Sequence, residues 1–201
     1  AGPLAMNAAL SRGRHQARWF DHLTSWLLGA MFVVVLVATD DMGFTRDESF
    51  YFHAGKEYVG WFVEWEENLE AGRGDASFTQ ENIDRHWGYN PEHPVLMKTL
   101  FGLSYEWLHE RAGWMSPSLA MRFPAMVFAG LLIVVLFSFT LEVFGSRLAA
   151  LGAVGLLTTI PRFFFHAHLT CFDVPMVTMW VAVMYAYWKS LDRTGWAWAT
   201  G

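Results

Sequence analysis

Residues Phe123–Leu141 read FPAMVFAGLLIVVLFSFTL, nineteen residues without one charged side chain. Arg122 stands at one end and Glu142 at the other. Crossing the hydrocarbon of a bilayer takes about 20 apolar residues in a helix. This stretch therefore predicts a span over about 119–144. It decides the fold class: an all-α integral membrane protein. Working outward, three further apolar blocks predict spans over about 19–39, 146–160 and 174–188. The first is uncharged from Trp26 to Ala38. The next is stopped by Pro161, with Phe163–Phe165 adding apolar depth, and the last is opened by Pro175, a residue tolerated in a first helical turn.

Composition agrees. Of the 201 residues, 54% are hydrophobic and 16% charged, against about a quarter charged in soluble domains. A net charge of -5 without a basic run argues against nucleic acid as a partner. Cys171 is the single cysteine, which excludes a disulfide framework and a cysteine-rich zinc site.

Residues 40–118 are different. Across 40–119 lie fifteen acids against six Lys or Arg, yet Phe50, Tyr51, Phe52, Tyr58, Trp61, Phe62 and Trp65 are interleaved with them. The mixture predicts short amphipathic helices lying on the membrane surface. Gly72–Gly74 predicts a turn between two of them. A second amphipathic stretch follows Pro94, carried by Leu96, Leu100, Leu103 and Leu108.

The cations set an expected topology. Arg12, Arg14 and Arg18 precede the first span, Arg147 sits between the second and third, and Lys189 and Arg193 follow the fourth. Four alternating spans put them all on one side, which the positive-inside rule makes cytoplasmic. The acidic segment and the 161–172 connection then share the outer side. Asp47, His93 and Asp173, far apart in sequence, all fall at that outer boundary.

Three groups of residues there could carry chemistry. Arg46-Asp47-Glu48 follows the first span; it is either a solvated acidic loop or the general base for an acceptor hydroxyl or amine. Asn90-Pro91-Glu92-His93-Pro94 is fixed by two prolines, and Lys98 one helical turn on could hold a lipid phosphate. The bland alternative is a proline-bounded turn with a surface lysine. His166-Ala167-His168 precedes Asp173, which either caps the fourth helix or serves as a functional acid at a span boundary. His166 and His168 are weak metal candidates. Arg122 and Arg162, at boundary positions, either snorkel or bind phosphate.

The order of these motifs resembles the dolichyl-phosphate-mannose protein mannosyltransferases and their bacterial relatives, including the aminoarabinose transferases of lipid A. Asp47-Glu48 is similar to the family's Asp-Glu motif. Glu92-His93-Pro94-Val95-Leu96-Met97-Lys98 is similar to its His-Pro-Pro-Leu-x-Lys element, with Val95 in place of the second proline. Arg122-Phe123-Pro124-Ala125 resembles its Arg-Leu-Pro-Ser segment, and Asp173 matches the acid opening the fourth span. The resemblance implies a GT-C-like bundle, with residues 1–201 as its N-terminal part, inactive when alone. It implies inverting transfer of a sugar from a polyprenyl-phosphate carrier to a protein or lipid acceptor. Asp47 would be the base, Glu48 an orienting acid and Asp173 the acceptor-positioning acid. His93, Lys98 and Arg122 would stabilise the leaving phosphate. No obligatory metal is expected, though His166 and His168 leave a divalent metal open. The partners implied are the lipid-linked donor, the acceptor and membrane lipids. Two other readings stand beside this one. The first is a membrane metal-binding protein using His93, His166, His168 and Asp173. The second is a noncatalytic interaction module built on the acidic aromatic segment.

Overall fold

The computed structural model describes residues 18–191, so Arg12, Arg14 and Arg193 lie outside the described residues. Eight α-helices are described, and no strand. They are α1 (Trp19–Ala38), α2 (Arg46–Glu70), α3 (Gln80–Trp87), α4 (Val95–Ser104), α5 (Pro117–Phe144), α6 (Arg147–Thr158), α7 (Pro161–Ala167) and α8 (Asp173–Ser190). A 3-10 turn covers Gly74–Phe78, and α4 runs on as a π-helix over Tyr105–Arg111. The chain divides into two units. One takes residues up to 38, 127–167 and from 173 onward; the other takes 39–126 and 168–172.

In the first unit, α1 and α5 are long and apolar enough to cross a membrane. At about 1.5 Å per residue, α5 extends about 42 Å, beyond the roughly 30 Å hydrocarbon thickness. The buried face of α1 is a narrow stripe: Asp21, Ser25, Gly29, Phe32 and Leu36. Its other side exposes Trp19, Leu23, Trp26, Leu27, Met31 and Val34. A continuous apolar face of that kind is unfavourable in water and suits lipid. Gly29 lets α1 touch α5: a Cβ there would lie 2.6 Å from the Gly130 carbonyl oxygen. Small residues at such crossings let helix backbones pack closely.

The third predicted span, 146–160, is not one straight helix. α6 is only 12 residues, about 18 Å long. A 73° bend separates it from α7. Pro161 has no N–H to continue the helical ladder across that point. Phe163–Phe165 therefore do not prolong α6; the bent pair counts as at most one broken span. The fourth predicted span forms α8, 18 residues long, but Asp173, Pro175, Thr178 and Lys189 dilute it, and it is not among the helices apolar enough to cross by length and composition.

Ion pairs align the helix ends of this unit. Arg147, opening α6, grips Asp21 near the start of α1, with Nε–Oδ1 2.6 Å and Nη2–Oδ2 3.2 Å. Glu142 near the end of α5 accepts from Tyr185 at 2.7 Å and Lys189 at 2.6 Å, both late in α8. Gly145, at φ 63°, turns α5 into α6. Thus α1 and α6 leave the end to which α5 and α8 return.

In the second unit, the acidic segment opens with a 25-residue helix, α2, longer than the short helices expected, and continues in α3 and α4, of 8 and 10 residues. The expected turn is present, with Gly72 at φ 69° beyond the end of α2. α2 and α4 cross at Gly55 and Gly102, where a Cβ on Gly102 would lie 2.1 Å from the Gly55 carbonyl oxygen. Ser77 ties the 3-10 turn to both neighbours: its carbonyl accepts from Trp61 Nε1 at 2.9 Å and Asn82 Nδ2 at 3.1 Å, and its hydroxyl from Asn68 Nδ2 at 2.9 Å.

Candidate functional site

The second unit is organised around one guanidinium. Arg122 is 1% exposed, and its five N–H donors make five hydrogen bonds within the chain. Nε and Nη2 take the two oxygens of Glu48 at 2.9 and 3.0 Å. Nη1 takes Asp40 Oδ1 at 2.9 Å and the Met42 carbonyl at 3.1 Å, while Nη2 also takes the Gly43 carbonyl at 3.1 Å. This is the bidentate fork that makes arginine the residue for such a place.

Glu48 is equally engaged. Its Oε1 also accepts the Thr170 N–H at 3.0 Å, and its Oε2 accepts the Thr45 N–H at 2.9 Å. The second contact is half of a capping box, closing the free N-terminus of α2. Burial pushes the Glu48 carboxyl up, but the Arg122 guanidinium and the two backbone N–H groups outweigh it and hold it below its ordinary value. The cluster thereby pins four pieces of chain together: the 40–43 connection, the first turn of α2, the start of α5 and the 168–172 loop.

Asp47 is the neighbour left outside. It is exposed, and its carboxylate makes no hydrogen bond or ion pair among the described residues. Helical geometry puts Tyr51, four residues on, along the same side of α2. The Tyr51 ring lies 6.0 Å from that of His93 and 4.6 Å from that of Phe172. His93 is itself exposed and 5.5 Å from Phe172. The structure thus brings His93 to the aromatic group that extends from the Asp47 side of α2.

Lys98 sits inward. It is fully buried, with its ammonium donating to the Asn90 carbonyl and, at 3.3 Å, to Asn90 Oδ1. It also lies 4.9 Å above the Tyr58 ring. Asn90 adopts φ 51°, a left-handed backbone that asparagine tolerates. Lys98 therefore fastens the turn that presents His93.

Asp173 and His166 meet in the first unit, with Nδ1 to Oδ2 2.9 Å. Together with Arg162, Phe163, Val174 and Val177 they line a cavity of about 330 Å³. His168 belongs to the second unit, where it is fully buried with Nε2 3.0 Å from Thr39 Oγ1.

Sequence reading passed over Asp40, Tyr51 and Phe172. Asp40 was one of fifteen acids, and no local signal separates it from the others. Its significance comes only from the arginine 82 positions away.

Residues 112–201 match the family model for dolichyl-phosphate-mannose-protein mannosyltransferase, and the chain is mannosyltransferase-like in that stretch. Arg122 and Asp173 fall inside it, whereas Asp47, Glu48, His93 and Lys98 precede it. No curated protein and no solved structure matches.

Proposed function

We propose that this mannosyltransferase-like membrane chain serves an inverting glycosyl transfer from a polyprenyl-phosphate carrier to a protein or lipid acceptor. Asp47 takes the proton of the acceptor hydroxyl or amine as that atom attacks the anomeric carbon. The bond from that carbon to the phosphate oxygen breaks, and the phosphate leaves on its lipid. Asp173 keeps the acceptor-positioning role that the resemblance gives it. His93 is the candidate on the Asp47 side for stabilising the leaving phosphate.

The observation that carries this reading is the Arg122–Glu48 clamp. It couples an arginine inside the family-matched stretch to the Asp-Glu motif outside it, and it leaves Asp47 solvent-facing on a fixed helical turn. Arg122 and Glu48 then hold the base in position instead of touching substrate, since their polar atoms are already engaged. Lys98 likewise holds the His93 turn. The reading requires no divalent metal. Its topology has four crossings, the bent α6–α7 pair being one. The N-terminus is cytoplasmic, and residues 40–118 are periplasmic, extracellular or lumenal.

The test is turnover of a polyprenyl-phosphate sugar by membranes carrying the intact gene product. Asp47→Asn should lower transfer at least a hundredfold without lowering the amount of folded protein. Unchanged transfer sinks the assignment of the base. Cysteine labelling at position 75 from the cytoplasmic side alone would reverse the proposed topology.

A further inference from the structure

Where the chain turns from α7 into α8, three metal-ligating side chains of different chemistry come together. His166, Cys171 and Asp173 each offer one ligand atom: a ring nitrogen, Sγ and a carboxylate oxygen. These atoms all lie within 4.8 Å of one another. The three residues belong to one stretch of eight, so the group is a local turn of the chain. His166 Nδ1 and Asp173 Oδ2 already stand 2.9 Å apart. Metal bonds of about 2.0–2.3 Å in a tetrahedron separate ligand atoms by about 3.3–3.7 Å. Drawing the group onto an ion therefore shortens its widest gap by about 1 Å. Access is open: the His166 side chain is 28% exposed and that of Asp173 67%, and Cys171 is half-buried. A hydrogen-bonded His–Asp pair alone would account for two of the three residues, and it leaves the thiol beside them without a reason.

The donor set selects the ion. Magnesium and calcium take oxygen ligands, and here there is a single carboxylate. Imidazole and thiolate suit zinc. The thiolate and the carboxylate together carry two negative charges, which a divalent ion cancels. His166 and Asp173 also line the cavity of about 330 Å³ in the first unit, which leaves room for a water on the ion. Arg162 shares that lining, but it is exposed and its charge can turn to solvent. We propose that His166, Cys171 and Asp173 form a three-ligand zinc site whose fourth position opens on this cavity. On binding, the Cys171 thiol gives its proton to solvent, and metal bonds replace the hydrogen bond between His166 and Asp173. The ion ties the end of α7 to the start of α8 and fixes the Asp173 carboxylate at the mouth of that helix. The site does not rest on the proposed transfer, and the ion takes no step in it.

The probes are Co2+ and Zn2+, added to the purified, untagged protein in detergent after chelation. Wild-type protein should take up Co2+ with an intense thiolate-to-cobalt absorption, and an equivalent of Zn2+ should bleach it. Cys171 is the one cysteine of this sequence, so that absorption reports this site. Cobalt bound without it overturns Cys171 as a ligand and the site with it. Cys171→Ser should abolish the absorption and weaken Zn2+ binding at least tenfold, and His166→Ala should weaken it by a similar factor. His53→Ala removes a histidine whose side chain is 56% exposed, elsewhere in the chain, and should leave binding unchanged. Zn2+ binding that is equal in wild type and His166→Ala, or weakened as much by His53→Ala, overturns the site. Displacement of Co2+ by an equal amount of Mg2+ overturns the assignment to zinc. Zn2+ should raise the melting midpoint of wild type and not that of Cys171→Ser; if Cys171→Ser fails to fold, the absorption of the wild type decides. Retained transfer in Asp47→Asn, with the cobalt absorption present, removes the proposed base and keeps the metal site.

Discussion

The two units bury charge differently. In the second, Arg122 and Glu48 are each 1% exposed and the Asp40 side chain 5%, with the guanidinium's donors all used. In the first, the Arg147 side chain keeps 46% of its surface open while its partner Asp21 keeps 2%, and Lys189 keeps 23% against 10% for Glu142. A buried pair strands an unpartnered charge when one member is removed, and the penalty is large. A cation at a helix end can turn to solvent or headgroups when its partner goes. The cluster of the second unit therefore specifies the local structure, and the pairs of the first mainly align helix ends.

The sharpest way to break that contrast is to truncate both arginines. Arg122→Ala should destabilise the protein by about 3–5 kcal/mol, or prevent folding of the second unit. Arg122→Lys should recover only part of this, because one ammonium cannot replace five directed donors. Detergent-phase thermal unfolding would measure both. A loss from Arg147→Ala as large as that from Arg122→Ala would erase the distinction.

The next effect tests close packing. Gly102→Ala puts a methyl group 2.1 Å from the Gly55 carbonyl oxygen, and overpacking of that kind costs about 1–3 kcal/mol. Gly152→Ala, in α6, meets nothing within 4 Å and should be neutral or slightly stabilising, since alanine favours a helix by about 1 kcal/mol over glycine. Equal losses in the two would mean that the α2–α4 crossing is not as close as described.

A smaller effect separates the units by pH. The Glu48 carboxyl is held below its ordinary value of 4.5. A group depressed in the folded state contributes stability that is complete above the unfolded value and is lost as pH falls through the folded one. The second unit should thus weaken only below about pH 4.5, and Glu48→Gln should flatten that acid limb while lowering stability at neutral pH. An acid limb unchanged by Glu48→Gln would assign it to other carboxylates. The smallest effect belongs to Arg147→Lys, about 0–1 kcal/mol, because the Arg147 side chain is 46% exposed and a lysine keeps a charge beside the buried Asp21, read by the same melt.

Sequence alone determined what the longest apolar runs and the helix breakers act on locally. The uncharged run 123–141 required a helix in hydrocarbon, because an unpaired backbone has no partner there. The breakers at Gly72, Pro94 and Pro161 marked helix boundaries, because φ and the missing proline N–H act on adjacent residues only. Asp47, Glu48, His93, Lys98, Arg122 and Asp173 were visible as residue types in an order. Which of them face outward was not visible. Asp47 and Glu48 are adjacent in sequence, yet one is exposed and the other enclosed, because consecutive positions on a helix point about 100° apart and an arginine 74 residues away lies on one side only. Lys98 reads as a surface cation until Asn90 takes its ammonium. Tertiary structure alone decided those roles, because a charge takes its meaning from whatever donor or acceptor the fold brings within hydrogen-bond reach, and sequence distance does not fix that partner.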